Sequence, residues 1–103
     1  MMHRLGKKAL RDLERKNYYI DFAWIDKQTH GTIEGDAITL NIVLMLAEIY
    51  IHEWLHNEDP NPLKTETEIW DSTQKLLDCM TRGDIEKIGN QLLKRLFAEG
   101  ISR

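Results

Sequence analysis

The spacing of apolar residues changes along the chain and predicts both helices and short strands. Over about residues 3–15 the apolar positions recur at helical spacing, which predicts an amphipathic helix that packs on its apolar side. From Tyr18 to Trp24 the period shortens to two, as in a strand. Glycine turns then separate two further strand candidates, residues 32–34 and 37–40. These segments predict a small antiparallel sheet.

A second helix is predicted over residues 42–57, and nearly every position before His52 in it is apolar. Asn41 is a suitable N-cap for this helix. Because a helix that is apolar on most of its circumference must be buried, we expect it to be central. Pro60 and Pro62 end it, since proline lacks the amide donor and restricts the residue before it.

Two more helices are predicted in the second half of the chain. Thr65 and Glu68 form a capping-box pattern that opens a helix running to about Met80 and stopped by Gly83. Asp84 is the predicted N-cap of the last helix, which ends at Gly100. Its predicted apolar face consists of Ile85, Ile88, Leu92, Leu96 and Phe97.

These elements predict an α+β fold, with a small antiparallel sheet of about three short strands packed on about four helices. The chain has 103 residues, of which 42% are hydrophobic and 30% charged. This size and composition predict one globular domain over residues 1–103 with a single core.

Charge and cysteine content narrow the class of protein. Cys79 is the only cysteine, so no intrachain disulfide forms, and no apolar run approaches the length of a membrane span. We therefore expect a cytoplasmic protein without a membrane partner. Residues 4–16 are rich in Lys and Arg, which leaves nucleic acid as a secondary candidate partner, although a solvated helix face is the favoured interpretation.

Chemistry is concentrated in the segment His52-Glu53-Trp54-Leu55-His56. On a helix, histidines four residues apart project from the same face, about 6 Å apart along the axis, and both imidazoles can reach one ion. Zn²⁺ accepts such nitrogens, and Glu53 is placed to take a proton from a water on the ion. The spacing therefore predicts His52 and His56 as metal ligands and Glu53 as a general base.

The third protein ligand is expected from the helix that follows. Glu66 and Glu68 are both candidates. Glu68 also completes the capping box with Thr65, which explains a glutamate at that position without any metal.

The motif and its surroundings resemble the zincin metallopeptidases, in particular small gluzincin-like members related to the ImmA/IrrE and SprT-like groups. The resemblance runs from about Gly31 to Leu77 and includes the strand 37–41, the HExxH helix, the Pro60 connector and the start of the next helix. It implies a minimal zincin-like fold with HExxH on the central helix. It also implies zinc ligands at His52, His56 and, as the best match, Glu68.

The same resemblance implies how substrate binds. Zincins hold a peptide as an additional antiparallel strand, which would make Ile38 to Leu40 the docking edge. Larger gluzincins also supply a distant His or Tyr to the transition-state oxyanion. The candidates here are Tyr18, Tyr19, His30 and Tyr50, although a structural role is the favoured interpretation for each.

The sequence therefore predicts a zinc metallopeptidase that hydrolyses peptide bonds, in an active, latent or partner-dependent form. The alternative function is a noncatalytic zincin-fold module that binds nucleic acid or a protein. A third interpretation is a metal-free domain whose two histidines are core residues satisfied by hydrogen bonds, for example to Glu48 one turn earlier.

Overall fold

The computed structural model describes residues 2–58 and 64–99, which contain four helices and three short strands. In chain order the elements are α1 (Met2–Glu14), β1 (Tyr19–Phe22), β2 (Gly31–Glu34), β3 (Ala37–Leu40), α2 (Ile42–Glu58), α3 (Glu66–Cys79) and α4 (Arg82–Glu99). The predicted α+β class is confirmed. The proline connector at Pro60 and Pro62 and the predicted helix stop at Gly100 lie outside the described residues.

The three strands form a mixed sheet in the order β1-β3-β2. β2 and β3 form an antiparallel hairpin, closed at Gly35, whose φ of 61° is easily adopted only by glycine. β1 runs parallel to β3, so the sheet differs from the antiparallel prediction in this one pairing. The connection over residues 23–30 places β2 two positions from β1, and β3 lies between them.

This strand order corrects the predicted peptide-docking edge. Ile38 pairs with Ile33 on one side and with Ile20 on the other, so β3 is the central strand. A strand bonded on both sides has no free N–H and C=O groups to offer a peptide. The docking edge predicted at Ile38 to Leu40 is therefore wrong, and the free edges of the described sheet belong to β1 and β2.

Asn41 joins the sheet to α2. It is fully buried, and its side-chain Nδ2 donates to the carbonyls of Asp26 at 2.9 Å and Thr29 at 3.0 Å. Its carbonyl accepts the N–H of Met45 at 3.1 Å, so Asn41 stands where the sequence predicted the start of the helix. Its side chain, however, bonds the preceding loop rather than the helix amides.

The loop that Asn41 holds is also organised by Asp26. One carboxylate oxygen accepts the backbone N–H groups of Gln28 and Thr29, each at 2.7 Å. The N–H of Gln28, followed by the hydroxyl of Thr29, holds the pKa of Asp26 below its usual value.

The hydrophobic core lies among α2, α3 and α4. Its buried members are Leu44, Ala47, Ile51, Leu77 and Ile85. Three of the five belong to α2, which packs against both other helices, so the prediction of a central second helix is confirmed. Burying one such aliphatic side chain contributes about 1.5–3 kcal/mol, so this helix is the main source of stability among the described elements.

The predicted apolar face of α1 is exposed, and that of α4 is exposed at its end. Leu5, Leu10 and Leu13 of α1 are each more than half exposed, and α1 packs extensively on no other described element. The expectation that α1 packs on its apolar side is therefore wrong. Phe97, predicted on the apolar face of α4, is 82% exposed, whereas Ile85 of the same face is fully buried. No helix within residues 2–58 and 64–99 is long and apolar enough to cross a membrane.

The boundary between α3 and α4 also differs from prediction. α4 already begins at Arg82, and Gly83 lies inside it. The hydroxyl of Thr81 accepts the N–H of Asp84 at 3.1 Å, which makes Thr81 the cap. The predicted stop at Gly83 and cap at Asp84 are therefore wrong, since a hydroxyl two residues before the glycine already satisfies the helix end.

Gly89 allows α4 to approach α2 closely. It is buried, and a Cβ at this position would lie 2.6 Å from both Cγ1 and the carbonyl oxygen of Val43 in α2. Because the obstacle includes backbone, it cannot be relieved by rotating a side chain. The absence of a side chain at Gly89 thus sets the distance between the two helices.

We predict that Gly89→Ala destabilises the protein by about 1–3 kcal/mol, because overpacking at Val43 outweighs the higher helix propensity of alanine. Gly83→Ala is the matched control in the same helix, where the nearest atom to a new Cβ is 3.7 Å away. It should be neutral or slightly stabilising. Urea unfolding measures both, and an equal response of the two variants would contradict the close approach.

Candidate metal centre

His52 and His56 project from one face of α2 near its C-terminal end. His52 is buried, with 3% of its surface exposed, whereas His56 is partly open to solvent. Their Nε2 atoms are 3.3 Å apart. The sequence predicted this convergence, and the structure brings the two imidazoles together.

Glu66, the first residue of α3, reaches both imidazoles. Its Oε2 lies 2.9 Å from Nε2 of His52 and its Oε1 lies 2.7 Å from Nε2 of His56. One carboxylate therefore bridges the two rings, with one oxygen directed at each. Three side chains from two helices meet at one point.

Glu68, the preferred third ligand at the sequence level, is engaged elsewhere. Its Oε1 accepts the N–H of Thr65 at 3.2 Å and the hydroxyl of Thr65 at 3.1 Å, while its own N–H donates to that hydroxyl. The predicted capping box is thus present. This arrangement favours the alternative, Glu66, as the residue facing the histidines.

Helical periodicity contains a signal for Glu66. Ile69, Thr73 and Leu77 form the buried face of α3, and Glu66 precedes them by three, seven and eleven residues. At about 100° per residue these spacings all return to the same face. Glu68 is rotated by about 200° from Glu66 and lies off that face.

Glu53 completes the cluster. Ligand atoms of His52, Glu53 and His56 all lie within 4.8 Å of one another, and Glu53 is exposed. An exposed carboxylate beside two imidazoles has access both to the site and to bulk water. This placement matches the geometry expected of a general base, which must be near the reacting water.

The donor set suits zinc. Two imidazole nitrogens and one carboxylate are a recurring ligand set of catalytic zinc sites. Ligands about 2.0–2.1 Å from a tetrahedral ion are about 3.3 Å from one another, and the two Nε2 atoms are 3.3 Å apart. The residues present therefore fit the ion that the motif implies.

The ring of His52 is oriented by packing. It stacks on Trp70 of α3, with the ring centres 3.8 Å apart and the planes inclined by 26°. Its Nδ1 is buried and has no hydrogen-bond partner within the described part of the chain. Ligating histidines are usually oriented by an acceptor at this second nitrogen. Here the contact that restricts the ring of His52 is the stacked indole of Trp70, four residues after Glu66, a residue that no motif in the sequence marks.

Glu48, the expected hydrogen-bond partner of a metal-free histidine, is paired with a different ring. Its Oε2 lies 2.8 Å from Nε2 of His30. Among the four oxyanion candidates, His30 therefore contacts α2 through Glu48, one helical turn before His52. Tyr19 is largely exposed, and Tyr18 and Tyr50 line grooves beside α1 and α4.

Comparisons with family models, with curated proteins and with solved structures find no match to this chain. The zincin resemblance therefore stays a prediction that rests on the motif and on the geometry around it.

We predict that Trp70→Ala weakens zinc binding about tenfold or more, in the range typical of residues that orient a ligand, while Trp70→Phe retains most of the affinity. Trp54→Ala is the control, because Trp54 is similarly exposed but lines a groove with Tyr50 and Leu76 instead of stacking on a histidine. Competition with a chromophoric chelator gives the affinities. Equal losses in Trp70→Ala and Trp54→Ala would contradict the orienting role.

Proposed function

We propose that this protein is a zinc-dependent metallopeptidase in which His52, His56 and Glu66 hold the ion and Glu53 is the general base. The observation that carries the proposal is the carboxylate of Glu66, which lies within 2.9 Å of both imidazoles. The histidines come from the motif itself, whereas the carboxylate is brought from another helix. Of the three side chains only His52 is buried, so the pairing of its imidazole with a carboxylate from another helix supports the proposal more than the burial of the cluster does.

The chemistry that zinc supplies when bound is Lewis acidity, which lowers the pKa of water in the site toward about 7 and polarises a carbonyl group. The residues of the chain supply the rest. A carboxylate oxygen of Glu53 takes a proton from the attacking water. Glu53 then donates this proton to the nitrogen of the leaving amine. Its exposure leaves room for a peptide to approach the open side of the cluster.

Without a metal, the imidazoles of His52 and His56 and the carboxylate of Glu66 would have to be held together by hydrogen bonds alone. If each Nε2 donates a hydrogen bond to one oxygen of Glu66, both Nε2 atoms carry a hydrogen. Two N–H groups 3.3 Å apart cannot bond each other, so the contact between His52 and His56 is then unfavourable. A cation accepts both lone pairs instead, and for this reason we prefer the metal-bound state.

We predict that the purified protein binds one zinc ion, and that Glu66→Gln loses it while Glu68→Gln keeps it. Glutamine can still complete the capping box with Thr65, so the control changes little else. Zinc at 100 times its Kd should stabilise the folded state by about 2.7 kcal/mol, and chelation should reverse this. Metal analysis and thermal unfolding measure both effects.

Three results would contradict the proposed ligand set in different ways. Retention of zinc by Glu66→Gln together with loss in Glu68→Gln would assign the third ligand to Glu68. No zinc in the wild-type protein and no thermal shift on its addition would favour the metal-free domain. Zinc retained in His52→Ala would place the ion elsewhere.

We predict that Glu53→Gln keeps zinc but lowers peptide hydrolysis at least about a hundredfold, because a general base contributes about 10²–10⁴ to the rate. Glu58→Gln, at an exposed glutamate of the same helix, is the control and should leave turnover unchanged. Cleavage of a mixed peptide library followed by mass spectrometry provides the assay. Equal turnover in wild type and Glu53→Gln would contradict the general-base role of Glu53. A zinc-loaded wild type that cleaves no peptide would favour the noncatalytic module.

A further inference from the structure

α1 separates apolar and basic side chains onto opposite faces. At about 100° per residue, Leu5, Ala9 and Leu13 project within one arc and Leu10 lies at its margin. The opposite arc carries Arg4, Lys7, Lys8 and Arg11. We refer to these two faces as the leucine face and the basic face of α1.

The leucine face is left uncovered by the rest of the described protein. Leu5 is 61% exposed, Leu10 56% and Leu13 59%. The C-terminal half of the helix borders a groove shared with Ile20 and Ile38 of the sheet, yet this does not bury the leucines. The exposure of three neighbouring leucine side chains to water is unfavourable, and it is relieved when another apolar surface packs against them.

The basic face is also largely uncompensated. Lys8 pairs with Asp12 at 3.3 Å, but Arg4, Lys7 and Arg11 form no ion pair within the described residues. These three side chains surround Leu10 in a shallow hollow on the surface. The partner of α1 must therefore accept cations and aliphatic side chains from the same helix.

We propose that α1 is an interfacial helix that lies on an anionic phospholipid bilayer, with the leucine face in the acyl region and the basic face at the headgroups. This combination of a charged face, an aliphatic face and low overall hydropathy is typical of helices that lie in the membrane surface. The proposal departs from the sequence-level expectation of no membrane partner, which rested on the lack of a spanning segment.

Charge complementarity selects the bilayer over the two other possible partners. A second copy of this chain docked through the leucine face would cover the leucines but leave the cations of the opposite face without counter-charges. Nucleic acid would neutralise the basic face but leave the leucines in water. An anionic bilayer accepts both faces at once, and its surface potential attracts juxtaposed Lys and Arg side chains.

The experiment is co-flotation of the full chain with vesicles of phosphatidylcholine, with or without phosphatidylserine, at low and high salt. We expect binding to the anionic vesicles that falls at least about tenfold in Lys7→Glu/Arg11→Glu and in Leu5→Ser/Leu10→Ser. High salt should weaken binding, because it screens the electrostatic part. All four positions are exposed, so the variants should keep the melting temperature of the wild type.

Matched controls lie on α4. Lys94→Glu/Arg95→Glu reverses two exposed cations, and Phe97→Ser removes an aromatic ring that is 82% exposed. Both should retain wild-type flotation if α1 is the membrane contact. Equal losses in the α4 variants, or no binding of the wild type to anionic vesicles, would overturn the proposal.

Two further results identify the competing partners and equally overturn it. The first is binding to a DNA or RNA duplex in the absence of flotation. If this binding requires Lys7 and Arg11 but is unaffected by Leu5→Ser/Leu10→Ser, the basic face binds nucleic acid. A dimer in light scattering that becomes a monomer in Leu5→Ser/Leu10→Ser assigns the leucine face to a second copy.

Discussion

The burial of α2 between α3 and α4 is the interaction on which the rest of the structure depends. Leu44, Ala47 and Ile51 supply most of the buried core, and Gly89 lets α4 approach the backbone of Val43. Because the first three turns of α2 are fixed in this way, the direction of its last turns is fixed too. His52 and His56 are therefore presented by a rigid element, which a metal site needs if its ligands are to be held in place.

The packing of α3 against α2 also places the third member of the cluster. Ile69 and Leu77 are buried on one face of α3, and the same face carries Glu66 one turn before Ile69 and Trp70 one turn after Glu66. The hydrophobic contact that stabilises the helix pair thus directs a carboxylate and an indole at the histidines. Meanwhile the capping box occupies Glu68, so the two glutamates of the first turn have separate roles.

The molecule has one well-packed part and one exposed part. The three helices after β3 share the core, whereas α1 and the outer strands carry exposed apolar residues, among them Tyr19, Phe22 and Ile33. The buried amide of Asn41 is a main connection between them, since it bonds the loop before β2 while its carbonyl starts α2. The proposed catalytic chemistry lies in the packed part and the proposed membrane contact in the exposed part, so the two proposals stand independently.

The sequence by itself determined the elements whose signals are local. The apolar run before His52 predicted a central helix, the Thr65 and Glu68 pattern predicted a capping box, and the HExxH spacing predicted that His52 and His56 share a face. Each depends on residues within a few turns of one another, where helical geometry and the hydrophobicity of neighbouring side chains decide the outcome.

Only the tertiary structure decided the features that depend on contacts between residues far apart in the sequence. It placed β3 in the middle of the sheet, because strand order follows from how a loop closes and not from the pattern within a strand. It left the leucines of α1 uncovered, since amphipathicity states which face is apolar but not what lies against it. It also brought Glu66 to the histidines: the helical repeat places Glu66 on the same face as Leu77, but only the packing of α3 on α2 turns that face toward His52 and His56.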